Sequence, residues 1–192
     1  MSATASRRGG SKPKPDEESL DDLLQVLVGQ PFLGVKFIYG DELIVDFGPG
    51  RRVEDPVFGR TLEPDFWLGT LATDWLLLSS DSLVARSEDT DREETARTFE
   101  ALKGSHVGAT DVRPDLALTI AFSSGHKLLV LPRRAMRTQG LPYWDLLLPE
   151  SRMIEAGPGR KWSVENADLP PKERGRSSRA DGSGAPRPSR TR

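Results

Sequence analysis

Two histidines, four tryptophans and 29 carboxylates are the residues of this 192-residue chain with the most chemical scope. There is no cysteine, so disulfides, thiolate nucleophiles and thiolate zinc sites are excluded. His106 and His126 do not fall at HxH or HxxxH spacing, the arrangement that would point two imidazoles at one metal. Ser123-Ser124-Gly125-His126 sets serine beside histidine. Neighbours in a tight turn are not expected to reach the geometry of a base and its nucleophile, and GxSxG is absent. Residues suited to the φ/ψ of a turn account for the run. Asp74 and Asp145 each adjoin a tryptophan, where burial would raise a carboxyl pKa. On a strand, however, neighbours face opposite sides, and the expectation is that each Asp points to water while its Trp points in. No GxxxxGK[ST] run is present, and neither Gly-Pro-Gly stretch leads a helix. No catalytic set, metal or cofactor is therefore expected, and the chain reads as non-enzymatic.

Charge is the stronger signal. The net charge is only −2, but it is segregated. Residues 16 to 104 carry 8 basic and 20 acidic side chains, a net −12. Residues 105 to 170 are nearly neutral, at +1. Residues 1 to 15 hold +4, and residues 171 to 192 hold +5. Seven acids crowd one stretch of the acidic half: Asp41, Glu42, Asp46, Glu54, Asp55, Glu63 and Asp65. Such a face can steer a basic protein partner and mimic a phosphate array. Residues 48 to 65 read as a long loop, a length that inside a compact domain is usually either functional or disordered. A rival site is Arg133, Arg134 and Arg137 with Tyr143 and Trp144, basic residues near stackable rings. Together with the basic tails it would suit a nucleic-acid-associated accessory protein, with strongly salt-dependent binding.

These side chains must be positioned by something, and the apolar pattern says what. Leu20, Leu23, Leu24, Leu27 and Val28 have helical spacing, with Ser19 as cap, acids in the first turn and Gly29 to end it. A second helix runs from a cap at Thr90 or Asp91 through Phe99 and Leu102 to Gly104. After each glycine comes an extended segment and a hairpin. Val35, Phe37 and Tyr39 turn at Gly40-Asp41 into Leu43-Ile44-Val45. Leu116, Leu118, Ile120 and Phe122 turn at Ser123-Ser124-Gly125 into Leu128-Leu129-Val130. An arginine pair and a Trp-bearing strand follow each hairpin.

The expected fold is therefore α+β, with two helix-plus-β-meander units at about 18–88 and 89–164. Either an internal duplication or a common pattern occurring twice explains them. Both ends, 1–17 and 165–192, are rich in Ser, Gly, Pro and Arg and read as disordered basic tails around a single domain, 18–164. No apolar run reaches 18 residues, so no membrane span is expected. The Arg7-Arg8 pair resembles a twin-arginine signal, but the stretch after it is too acidic for the apolar part of one, and a cytoplasmic monomer or homodimer is expected.

The order helix, Leu102-Lys103-Gly104, hairpin from Leu116 to Leu128, Tyr143-Trp144-Asp145-Leu146 strand and Gly157-to-Trp162 ending resembles small bacterial domains of unknown function. Some of those are grouped as immunity-like because they lie beside toxin genes. The resemblance spans about residues 20 to 164 and implies a protein-binding role, with no catalytic residues to carry over. The expectation is thus a protein-binding module, immunity- or antitoxin-like, that sets its acidic face against a basic partner.

Overall fold

Alternating apolar residues fill most of the chain, and their period of two makes strands. The computed structural model describes residues 19–38, 42–57, 59–71, 73–132 and 140–168. Of these, 54% lie in strands and only 14% in helices. Helix α1 (Leu20–Leu24) is closed by a capping box in which Asp22 N–H donates to Ser19 Oγ at 3.1 Å. Helix α2 (Arg92–Phe99) is capped by the Asp91 carboxylate, which accepts from Glu94 N–H at 2.9 Å. Each tightens into a single 3₁₀ turn and then stops near a glycine of positive φ, Gly29 at 86° and Gly104 at 79°.

The strands in chain order are β1 (Phe32–Ile38), β2 (Glu42–Phe47), β3 (Arg51–Asp55), β4 (Gly59–Glu63), β5 (Phe66–Thr70), β6 (Thr73–Ser79) and β7 (Ser82–Arg86). After α2 come β8 (Val107–Val112), β9 (Leu118–Phe122), β10 (His126–Pro132), β11 (Trp144–Leu148), β12 (Arg152–Ala156) and β13 (Trp162–Asn166). They form a six-stranded sheet, β1-β2-β5-β11-β12-β13, and a five-stranded sheet, β7-β6-β10-β9-β8. β3 and β4 pair only with each other, and every pairing is antiparallel. The two large sheets pack face to face. Phe32 and Phe47 of the first meet Phe122 of the second, with ring centroids 6.0 and 6.4 Å apart. Phe37 of the first meets Trp75 of the second at 6.0 Å. Trp75, Tyr143 and Trp144 are fully buried in this core.

The expected α+β architecture of two helix-plus-meander units is overturned. The helices are one or two turns long, too short to form a layer, and the molecule is a mostly β structure. Neither half is a self-contained meander either. The first half gives β1, β2 and β5 to the six-stranded sheet and then crosses over to give β6 and β7 to the five-stranded one. The second half gives β8, β9 and β10 to the five-stranded sheet and then crosses back with β11, β12 and β13. The joins are β5 with β11 and β6 with β10. The helices cross as well: α1 packs on β8, and α2 on β1 and β7.

The halves repeat each other's detail within this exchange. β1 breaks register between Phe32 and Gly34, and β8 between Val107 and Ala109. Gly48 N–H donates to Pro31 O, and Ser123 N–H to His106 O, both at 2.9 Å. Where the halves meet, Phe32 N–H donates to Ser105 O at 3.0 Å and Val107 N–H to Gln30 O at 2.9 Å, with Pro31 and His106 bridged between them. A shift of 75 residues carries each bond of these pairs onto the other. Trp75 opposite Val130 corresponds to Trp144 opposite Thr70 at the two joins.

Residues 48–65, expected to be a loop, hold the β3–β4 hairpin. Val53 pairs with Thr61, and Arg51–Glu63 and Glu54–Arg60 lie directly opposite as cross-strand ion pairs. The stretch expected to be a loop is a paired hairpin, with both ion pairs lying across its ladder.

Truncation at the join should show its weight. Trp75→Ala is expected to cost about 3–5 kcal/mol in chemical denaturation, the usual range for emptying a buried aromatic site. Leu83→Ala, on an exposed edge position, should stay within about 0.5 kcal/mol of the parent.

Candidate functional site on the outer face of the six-stranded sheet

Leu43, Val45, Phe47, Leu68, Leu146 and Ile154 point from the six-stranded sheet into the core. The residues between them therefore form two rows across its other face. One row runs Lys36, Ile44, Gly69, Asp145, Glu155, Ser163, each the register partner of the next. The other runs Gly34, Asp46, Trp67, Leu147, Met153, Glu165. Acids and apolar groups thus alternate over an outward face. It is not freely wetted: Asp46 is 7% exposed, Met153 5% and Glu165 8%. Ile44, Trp67, Asp145, Leu147 and Glu155 are half-buried.

Among the described residues, four buried side-chain polar atoms have no hydrogen-bond partner. Three are carboxylate oxygens of this one face: Asp46 Oδ1, Asp145 Oδ1 and Glu165 Oε2. Asp46 uses its other oxygen on Lys36 Nζ, at 2.7 Å. A buried acceptor left without a donor costs about 1–3 kcal/mol, and more when it is charged.

Asp145 lies across Gly69. A Cβ on residue 69 would stand 2.3 Å from Asp145 Oδ1 and 3.0 Å from Trp67 Cζ3, so only glycine leaves the carboxyl its place beside the indole. Burial, followed by the neighbouring Glu155 and Glu42 charges, pushes the Asp145 carboxyl up to about 7, against the opposing pull of backbone N–H groups. The expectation that Asp145 points to water beside an inward Trp144 is thus half corrected. Trp144 is in the core, with its Nε1–H donating to Leu116 O at 2.8 Å, but Asp145 is desolvated on the far side. Asp74 has the same relation to buried Trp75 and accepts from Ser87 Oγ at 3.4 Å.

The residues singled out in the sequence are dispersed. Glu42 and Asp46 are on this face. Glu54 and Glu63 are on the exposed hairpin, each facing an arginine. Asp65 sits at the hairpin's base and accepts from Gly50 N–H at 3.1 Å. Asp41 and the Asp55 side chain lie outside the described residues, as do Arg133, Arg134 and Arg137. Tyr143 and Trp144, proposed to stack on bases, are 0% exposed, and Tyr143 Oη accepts from Gly159 N–H at 2.9 Å. They are core residues and offer no ring face to a ligand. Ser124 Oγ does approach His126 Nδ1, at 3.0 Å, contrary to expectation; the pair sits on an exposed hairpin tip with no carboxylate bonded to the ring among the described residues. Asp145, Glu155 and Glu165 were missing from the acidic set because the near-neutral charge of the second half conceals them. Their alternation with core residues was the available signal.

Among the described residues no group of three or more His, Asp or Glu is placed to hold a metal ion, and no helix is long and apolar enough to cross a membrane. No family model, no curated protein and no solved structure matches the chain.

Because Asp145 keeps its proton when folded to about pH 7 but would lose it near 4 when unfolded, the folded state binds the extra proton between those limits. Its contribution to stability is therefore full at acid pH and falls by about 1.4 kcal/mol per pH unit from roughly 4 to 7. Asp145→Asn should remove that slope from denaturation curves measured across this window. Gly69→Ala should force the carboxyl outward and bring its titration, followed by carboxyl carbon NMR, back towards the ordinary aspartate range.

Proposed function

We propose that the chain is a non-enzymatic binding module whose outer six-stranded face takes an arginine- or lysine-rich segment of another protein. One observation carries this reading: among the described residues, three of the four unpartnered buried polar atoms are carboxylate oxygens of a single face. Donors from outside would satisfy them, and a guanidinium is the fitting group. Its planar fork can supply the donors that Asp46, Asp145 and Glu165 lack, and its weak hydration suits a half-buried site. The Trp67 indole, beside Asp46 and Leu147, gives it a ring to stack on. An immunity- or antitoxin-like role is the biological form this binding takes, with the face covering a basic partner. The nucleic-acid alternative loses support, since its two rings are core residues and the face is acidic.

A nona-arginine peptide is the direct probe. Titration calorimetry should show binding that weakens with salt, and the Asp145→Asn/Glu165→Gln double variant should bind at least about tenfold more weakly, as expected when charge-assisted hydrogen bonds are lost. Equal affinity of parent and variant would refute the reading.

A further inference from the structure

We infer that the chain's own C-terminal segment, residues 169–192, is a ligand of this outer face and competes there with any outside cation. The inference rests on the cation-binding reading of the face. It adds a built-in competitor, and with it a means of regulation.

Position is the first argument. β13 is an edge strand of the six-stranded sheet, and the described chain ends at Asp168, three residues past the unpartnered Glu165. Glu165 is 8% exposed, and among the described residues no hydrogen bond or ion pair satisfies its Oε2. The segment after it therefore begins beside one of the orphan carboxylates.

Charge is the second. Lys172, Arg174, Arg176, Arg179, Arg187, Arg190 and Arg192 stand against only Glu173 and Asp181 in this segment. The first four lie within eleven residues of Asp168. The N-terminal basic stretch, Arg7 to Lys14, is worse placed, because it leads into α1, which packs on β8 of the other sheet.

Reach is the third. Crossing from β13 to β1 covers five inter-strand gaps, about 24 Å at roughly 4.8 Å each. An extended chain covers that in about eight residues, at roughly 3.3 Å per residue. The 24 residues of the segment are therefore more than enough to span the face. Tethering supplies a local concentration in the millimolar range for a short connection, so contacts that are individually weak still fill the face. An outside partner must displace the segment, which sets a threshold that weak or non-specific cations do not pass.

The test keeps the full chain. Lys172, Arg174, Arg176 and Arg179 are each changed to Gln, and nona-arginine is titrated at low and high salt. At low salt the quadruple variant should bind the probe at least about tenfold more tightly than the parent, and the gap should close as salt rises. A synthetic peptide of residues 169–192 should bind the quadruple variant and lose affinity when Asp145→Asn and Glu165→Gln are added. If parent and quadruple variant bind nona-arginine equally, and the Asp145/Glu165 changes still weaken both, the competitor is refuted while the cation-binding face stands. If those two changes weaken neither, both inferences fall.

Discussion

The molecule depends on the two places where one half's strand pairs with the other's, β5 with β11 and β6 with β10. Each half supplies three strands to one sheet and then leaves it. The core between the sheets therefore exists only when both halves have arrived. Trp75 and Trp144 mark the two joins and are wholly buried there. Such contacts are distant in sequence, so their loop-closure entropy must be met before burial rewards it, and folding by this route is expected to be slow and concerted. The paired hydrogen bonds around Pro31 and His106 sit where the halves meet and hold both exits from the helices at once.

That arrangement also explains the chemistry of the outer face. One side of the six-stranded sheet is committed to the core, so whatever the alternating positions carry is presented on the other. Those positions carry carboxylates interleaved with Ile44, Trp67, Leu147 and Met153. The apolar neighbours lower the local dielectric, and the acids crowd one another across β11 and β12. Together these raise the Asp145 carboxyl to about 7, and among the described residues three carboxylate oxygens of this face have no donor. A purely polar surface would let water satisfy them. A purely apolar one would have no use for them.

Much of this could be read in the residues and some could not. Helix caps at Ser19 and Asp91, the glycine stops and both hairpins follow from local preferences, which are strong there. The balance of helix and strand was misjudged because a capped apolar stripe looks the same whether the helix runs for one turn or four; tertiary packing decided the length. Strand exchange leaves no local trace, since β5 is as well patterned for a partner in its own half as for β11. The acidic site was half legible. Glu42 and Asp46 stand out in an acid-rich stretch, whereas Asp145, Glu155 and Glu165 come from a half whose arginines and lysines balance the count. Tyr143 and Trp144 misled because an aromatic pair near basic residues looks the same in a core as on a platform.

The β3–β4 hairpin is the one described element of the first half that the second half lacks. Where the first half detours from Phe47 through the hairpin to Phe66, the second goes from Phe122 to His126 by way of Ser123, Ser124 and Gly125. Both routes deliver the next strand to the same register beside the last. The molecule thus contains, in one half, a worked example of its other half with the excursion trimmed away. The counterpart of the β2–β5 register holds without such an excursion in the other half, so this corner is where an engineer would splice in a foreign loop.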